Sequence, residues 1–237
     1  TPCPVIRHVP QPGPPGPRAA RHQPRPPPPP ALAKDHLFKV LVIGDSTVGK
    51  TSLVQRYAYD SFNKNYKSTV GVDFALKILE WSDTETVRLQ LWDIAGQERF
   101  TSMTRLYYRQ AGACIIMFDV TNVTTFWNCL KWKHDLDGKV TLMDGSPVPC
   151  VLLANKSDLA EWAVTKEEIE RFSKQNHFVG WIETSVKENK NINRAMSVLV
   201  DCLMSQLSLG SPTQNQGEYI QLVKEPASKT RTNAGCC

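Results

Sequence analysis

Apolar and polar positions alternate between two periods along this chain. Phe38–Ile43 is a mostly apolar, β-branched run of the kind that forms a strand buried on both faces. Ser52–Tyr59 places Leu53, Val54 and Tyr57 on one side of a helix. Asp60–Thr69 is polar and irregular. Val72–Trp81 and Thr86–Trp92 read as two strands around the short turn Ser82-Asp83-Thr84-Glu85, which makes an antiparallel hairpin. In the second of them Val87, Leu89 and Leu91 alternate with Arg88 and Gln90, so one face is wetter. The pattern then predicts a loop at Asp93–Gly96, a short or broken helix at Gln97–Gln110, a buried strand at Ala113–Val120 and a helix at Thr124–Asp137. A loop at Thr141–Pro149, a strand at Cys150–Ala154, a helix at Thr165–Gln175 and a strand at Phe178–Glu183 follow. Thr165 with Glu168 three residues later is a capping box. Ile192, Ala195, Met196, Leu199, Val200 and Leu203 form the apolar stripe of a last, amphipathic helix. Strands alternating with helices through short connections predict an α/β fold: a six-stranded, mostly parallel sheet with one antiparallel edge strand and about five helices on both faces.

Composition bounds the two ends. Of the 17 prolines, 13 lie within Thr1–Pro30, together with Arg7, Arg18, Arg21 and Arg25 and no acid. Such a stretch buries too little apolar surface to order itself, so residues 1–33 are expected to be a disordered arm. That arm could offer proline-rich motifs to an SH3-type module, although an extension without function is the simpler reading. It also supplies most of the net charge of +5, so the basic balance does not indicate a nucleic-acid-binding face. Cys114, Cys129, Cys150 and Cys202 lack metal-ligand spacing and read as reduced thiols of a cytosolic protein. No run is long and apolar enough to cross a membrane, and the arm lacks a signal peptide's apolar core.

The chemistry concentrates at strand ends. Gly44-Asp45-Ser46-Thr47-Val48-Gly49-Lys50-Thr51 is the Gly-x-x-x-x-Gly-Lys-Thr phosphate-binding pattern, set between a strand and a helix. Its backbone N–H groups converge on phosphate oxygens, Lys50 reaches the β- and γ-phosphates, and the Thr51 hydroxyl ligates Mg²⁺. Asp93-Ile94-Ala95-Gly96-Gln97 puts an aspartate where it can hold Mg²⁺ through water. Its glycine can approach the γ-phosphate, and Gln97 can orient an attacking water. Thr69 can add a second hydroxyl to the Mg²⁺ when a γ-phosphate is present. Asn155-Lys156-Ser157-Asp158 ends another strand, and Asp158 can accept from both N1–H and the 2-amino group of guanine, a donor pattern adenine lacks. Ser185-Val186-Lys187 can place a backbone N–H near the guanine O6. Taken singly, Asp93 could be a turn aspartate, Asp158 a helix N-cap and Thr69 a strand-edge residue. Four motifs in order, each at a strand end, argue against coincidence.

Over roughly Leu37–Leu207 the sequence resembles the Ras superfamily of small GTPases, a P-loop NTPase fold, and specifically its Rab family. The resemblance is carried by Val70-Gly71-Val72-Asp73-Phe74, Arg88-Leu89-Gln90-Leu91-Trp92, Arg99-Phe100-Thr101-Ser102-Met103-Thr104, Tyr107-Tyr108-Arg109 and Phe118-Asp119-Val120-Thr121-Asn122. Asp93-Ile94-Ala95-Gly96, Phe74-Ala75-Leu76-Lys77 and Val179-Gly180-Trp181 are similar to the branch serving lysosome-related organelles and the trans-Golgi network. The resemblance implies a GTP/GDP switch with Mg²⁺ that hydrolyses GTP slowly and regulates vesicle traffic. It assigns Ser46, Thr47, Val48, Gly49, Lys50, Thr51, Thr69 and Gly96 to phosphate, with Thr51, Thr69 and Asp93 to the metal. Ser52, Phe62, Asn155, Lys156, Asp158, Ser185, Val186 and Lys187 face guanine, and Gln97 is catalytic. Phe74, Trp92 and Tyr107 form the apolar patch that effectors read. Val186 stands where the family usually has Ala; its extra methyls crowd the guanine loop but leave its N–H available. Ser46 and Thr47 stand where Ras has glycines, which leaves a nucleotide-dependent scaffold with negligible hydrolysis as the alternative reading.

The resemblance also implies an exchange factor, a GTPase-activating protein, a prenylation escort and a GDP-dissociation inhibitor acting on a monomer. Thr101 and Ser102 are candidate phosphosites beside the partner surface. Residues 208–237 read as a flexible tether ending in Gly235-Cys236-Cys237, similar to the doubly geranylgeranylated Rab ending. The expected location is the cytoplasmic face of the trans-Golgi network, late endosomes or lysosome-related organelles, with a cytosolic pool.

Overall fold

The computed structural model describes residues 34–63, 69–97, 104–209 and 220–222. Strand β1 (Lys34–Gly44) is central. It is followed by α1 (Lys50–Tyr59), the hairpin β2 (Val72–Ser82) and β3 (Glu85–Ile94), α2 (Thr104–Tyr108) and β4 (Ala111–Asp119). Next come α3 (Val123–Asp137), β5 (Val140–Leu142), β6 (Cys150–Asn155), α4 (Lys166–Gln175), β7 (Gly180–Glu183), α5 (Ile192–Leu209) and β8 (Ile220–Leu222). Among the described residues the main sheet has six strands in the order β2-β3-β1-β4-β6-β7, parallel except for β2 at the edge.

The alternation of side chains along β1 divides the core. Val40 and Val42 point to one face, where Leu53, Val54 and Tyr57 of α1 pack with Ile192, Met196, Leu199 and Leu203 of α5. Leu41 and Ile43 point to the other, against Phe126, Cys129, Trp132 and Leu136 of α3 and Ile169 and Phe172 of α4. Where both faces are covered β1 must be apolar, and its last five residues, Val40–Gly44, are all buried.

The chain leaves β1 toward β3 on one side and later returns to β4 on the other. The loop after β1 therefore sits at the topological switch point, where open α/β sheets bind ligands. Gly44 is required there, because a Cβ would collide with the Met117 carbonyl of β4.

Several boundaries differ from the pattern-based expectation. β1 begins at Lys34, not Phe38, because Lys34–Phe38 pair with Glu85–Leu89 before β4 joins at Lys39. Helix α1 takes in Lys50 and Thr51, so the motif's cation and hydroxyl stand in its first turn. α4 carries the expected capping box between Thr165 and Glu168. In α3 the Asn122 side chain accepts from the Thr124 N–H. Of the helix expected at Gln97–Gln110, only Thr104–Tyr108 is helical among the described residues. The loop predicted from Thr141 holds part of β5, which pairs antiparallel with β8 inside the predicted tether. Cys114, Cys129, Cys150 and Cys202 are free thiols, the first three buried.

The aromatic cluster of Phe118, Phe126 and Phe172, with ring centroids 5.1 and 4.6 Å from Phe126, joins α3 and α4 to the sheet. Phe126→Ala should cost about 3–5 kcal/mol of stability in urea unfolding at fixed nucleotide concentration; a loss below about 1 kcal/mol would show that the site collapses without penalty.

Candidate functional site

The carboxyl ends of β1, β3, β6 and β7 open onto a cleft of about 560 Å³, the size range of a nucleotide-binding pocket. One end is lined by Ser46, Thr47, Gly49, Lys50 and Thr51, the other by Asn155, Lys156, Asp158, Val186 and Lys187. Ser52, Phe62, Thr69, Gly96 and Gln97 line it as well. Every expected nucleotide residue reaches the cleft except Val48, Asp93 and Ser185, which stand buried behind it.

The phosphate end is a helix N-terminus fed by a twisted loop. Thr47 and Gly49 have positive φ values of 65° and 105°, a conformation that is costly for a β-branched threonine and easy for glycine. The turn carries Lys50 into the first turn of α1, where Nζ donates to the Gly44 carbonyl at 2.9 Å and the Asp45 carbonyl at 2.8 Å. Burial pulls this ammonium down to about 8, against the raising influence of Asp93 and Asp45. A buried cation held by carbonyls among the described residues is a strong attractor for phosphate oxygens.

Three segments distant in sequence meet at the Thr51 hydroxyl. Thr51 Oγ1 lies 2.7 Å from Thr69 Oγ1 and donates to Asp93 Oδ2 at 2.5 Å. Burial pushes the Asp93 carboxyl up, although Thr51 and Lys50 favour its charged form. Its Oδ1 is buried with no hydrogen-bond partner among the described residues. Two hydroxyls and an under-satisfied carboxylate are a hard oxygen set, which fits Mg²⁺ completed by phosphates and water. Among the described residues no group of three or more His, Cys, Asp and Glu gathers as a metal site. Gly96 lies so close to the phosphate loop that a Cβ there would collide with the Ser46 N–H. Gln97 is exposed at the mouth beside it.

At the far end Asp158 is fixed on both oxygens: Ser185 Oγ donates to Oδ1 at 2.6 Å and Lys187 Nζ to Oδ2 at 3.4 Å. Burial would raise its carboxyl, but these donors outweigh it and hold Asp158 below the usual carboxylate range. Lys156 adopts a positive φ of 66° and pairs through Nζ with Asp119 at 2.6 Å.

Asn155 holds the loops. Its Nδ2 donates to the Val48 carbonyl at 2.8 Å, and its Oδ1 accepts from the Val186 N–H and the Thr184 hydroxyl, each at 3.3 Å. It is thus a brace between the phosphate loop and the guanine-side loop, and the Val186 N–H that the sequence offers to a base carbonyl is shared with it. Gly49 must lack a side chain for the brace to fit, since a Cβ would stand 2.5 Å from Asn155 Nδ2.

Other supports have no motif to announce them. Asp45 accepts from Asn128 Nδ2 at 2.6 Å and Trp132 Nε1 at 2.9 Å, anchoring the phosphate loop to α3. Arg56 of α1 donates to the Val186 and Lys187 carbonyls at 3.2 and 3.3 Å and stands over the Phe62 ring. Gln55, Ser61, Asn63 and Leu159 also line the cleft. Their partners are far away in sequence, so only the i+4 spacing of Asn128 and Trp132 on one helix face hints at any of this.

Beyond the cleft, Phe74 and Trp92 are ring neighbours at 6.3 Å, with Phe74 70% exposed. Trp92 and Tyr107 pack against the same side of the core, and Lys39 Nζ stands 3.6 Å from the Trp92 ring. Thr101, Ser102, Cys236 and Cys237 lie outside the described residues. No helix among the described residues is long and apolar enough to cross a membrane.

A family model described as the Ras family matches residues 39–205. The chain is 68% identical over 201 residues to the Ras-related protein Rab-7L1 of Mus musculus, which covers 83% of this chain and 97% of that protein. It is 47% identical over 205 residues to Ras-related protein Rab-32 of Mus musculus, covering 86% and 92%. Against Ras-related protein Rab-32A of Dictyostelium discoideum it is 48% identical over 207 residues, covering 86% and 94%.

Asn155→Ala should cost about 2–4 kcal/mol in denaturant unfolding, because it strands buried partners on two loops. A loss under about 0.5 kcal/mol would mean that water replaces the brace without penalty.

Proposed function

The chain belongs to the Ras family as a Rab-type small GTPase, hydrolysing GTP to GDP as a switch in membrane traffic, and from that premise we propose how its residues divide the work. The reading rests on one observation: Thr51, Thr69 and Asp93, from three separate segments, bring oxygen atoms together at one end of a cleft lined by Lys50, whose other end presents Asp158.

Asp158, kept ionised by Ser185 and Lys187, accepts the two N–H donors of the guanine edge. Asn155 keeps the two loops at a fixed separation, and Lys156 and Phe62 flank the base. Ser52 and Val186 complete the guanine end. At the other end the loop amides from Ser46 to Gly49 and the Lys50 ammonium take the phosphate oxygens. Thr51, Thr69 and Asp93 would hold Mg²⁺, which when bound neutralises charge on the β- and γ-oxygens. Gln97 orients the attacking water from the mouth. Turnover unaided is slow, on the order of 10⁻⁴ to 10⁻³ s⁻¹, as in Ras-type enzymes.

Thr69 and Gly96 stand against the phosphate loop from different segments, so each senses whether a γ-phosphate is present. Its loss releases both, and the surface carrying Phe74, Trp92 and Tyr107 changes with them. Effectors read that surface. An exchange factor, an activating protein, a prenylation escort and a GDP-dissociation inhibitor complete the cycle. Thr101 and Ser102 are sites where phosphorylation would change the choice of partner. Residues 34–207 act as the switch unit, between an arm at 1–33 and a tether at 208–237. Two geranylgeranyl groups on Cys236 and Cys237 give a stable anchor where one lipid would not. The compartment we propose is the cytoplasmic face of the trans-Golgi network, late endosomes or lysosome-related organelles.

Gln97→Leu should lower single-turnover GTP hydrolysis at least about tenfold while leaving GTP affinity within about threefold; unchanged hydrolysis would remove Gln97 from the mechanism. Asp158→Asn should weaken GTP binding by roughly a hundredfold or more and admit XTP, whose 2-oxo group suits an amide donor. Equal GTP affinity in competition titrations would place the base elsewhere.

A further inference from the structure

We propose that the outer edge of β5 is a strand-docking site whose occupant is the chain's own segment Ile220–Leu222. β5 stands outside the main sheet. On one side it folds back on its own loop: Thr141 bridges Pro147, Leu142 N–H donates to the Ser146 carbonyl at 2.8 Å, and Gly145 N–H donates to the Leu142 carbonyl at 3.0 Å. Successive residues of a strand direct their N–H and C=O groups to opposite edges. With Leu142 committed to Ser146, the N–H and C=O of Thr141 face the other way. That edge is where Gln221 lies, in antiparallel register with Val140↔Leu222 and Leu142↔Ile220 on either side.

The edge is preformed from the protein side. Lys139, the residue before β5, donates through Nζ to Thr104 Oγ1 at 2.5 Å and pairs with Asp135 at 2.6 Å. Asp135 also accepts from Tyr108 OH at 3.0 Å, and Thr104, Tyr108 and Val140 are fully buried. β5 is thereby fixed to α2 and α3 before any partner arrives, and an open edge on a fixed strand is a template for pairing. The tail supplies a matching sequence: Ile220 and Leu222 alternate with Gln221 inside a stretch that is otherwise mostly polar, the period of a strand with one apolar face.

Three residue pairs make a weak ladder, sustained because the tail is tethered and its effective concentration at β5 is high. The contact is therefore a clasp that opens readily. While it is closed, no other strand can add at this edge, and a partner that pairs there must displace the tail. On the lipid-anchor reading above, closure also moves the start of the membrane tether from Leu209 to Leu222. The docking itself does not depend on that reading.

Hydrogen–deuterium exchange of the full-length GDP-bound chain tests the clasp against Gln221→Pro, which removes the tail's N–H donor. The Thr141 amide should exchange on the order of tenfold faster in the variant, with β1 and β4 amides unchanged. Equal exchange at Thr141 in the two proteins would overturn the proposal. Tenfold dilution of the parent chain should leave Thr141 protection intact; protection lost on dilution would overturn it in favour of tails exchanged between copies.

Discussion

A lysine almost fully withdrawn from water is the constraint on which the site depends. Lysines are rarely buried unless paired, yet Lys50 is 6% exposed and among the described residues its ammonium donates to two backbone carbonyls. The carboxylate of Asp93 balances it only through space while bonded to Thr51. Such an arrangement costs stability on its own and is relieved by an anion delivered to the mouth of the loop. On the proposed reading, a phosphate chain would supply the anionic partner of this ammonium.

Holding the imbalance in place requires rigid surroundings. Asp45 is bonded to Asn128 and Trp132 of α3, Asn155 carries Val48, and Gly44 backs onto Met117. Arg56 extends the same frame to the guanine-side loop. Against this fixed platform stand two contacts from elsewhere, Thr69 at the Thr51 hydroxyl and Gly96 at the Ser46 amide. A switch needs this contrast, since a γ-phosphate can bias only those segments whose hold on the platform is slight.

The sheet was legible in the sequence because its signal is local. Phe38–Ile43 is apolar but for Lys39, Val87, Leu89 and Leu91 alternate, and Thr165 with Glu168 announces a helix start. The cleft was legible because glycine, lysine and aspartate at fixed spacing after strands answer to phosphate and base chemistry. What escaped is set by contacts across the fold. Asn155 reads as a base contact by its place in the motif, and what the motif does not announce is that its amide also braces two loops. The link between Asp45 and Trp132 spans 87 residues, and its only local trace is the i+4 spacing of Asn128 and Trp132. β5 has only three residues and a partner some 80 positions away, so no periodicity could reveal it.

The central claim is that this cleft is built for a guanine nucleotide, its phosphates bound by a buried cation and its base selected by Asp158. Calorimetric titration of the nucleotide-free full-length chain with GTP and with ATP, each with Mg²⁺, tests it most directly. GTP should bind with a submicromolar Kd and ATP at least about a thousandfold more weakly, as expected where a site's buried polar group would be left unpaired. Comparable affinities for the two would contradict the account.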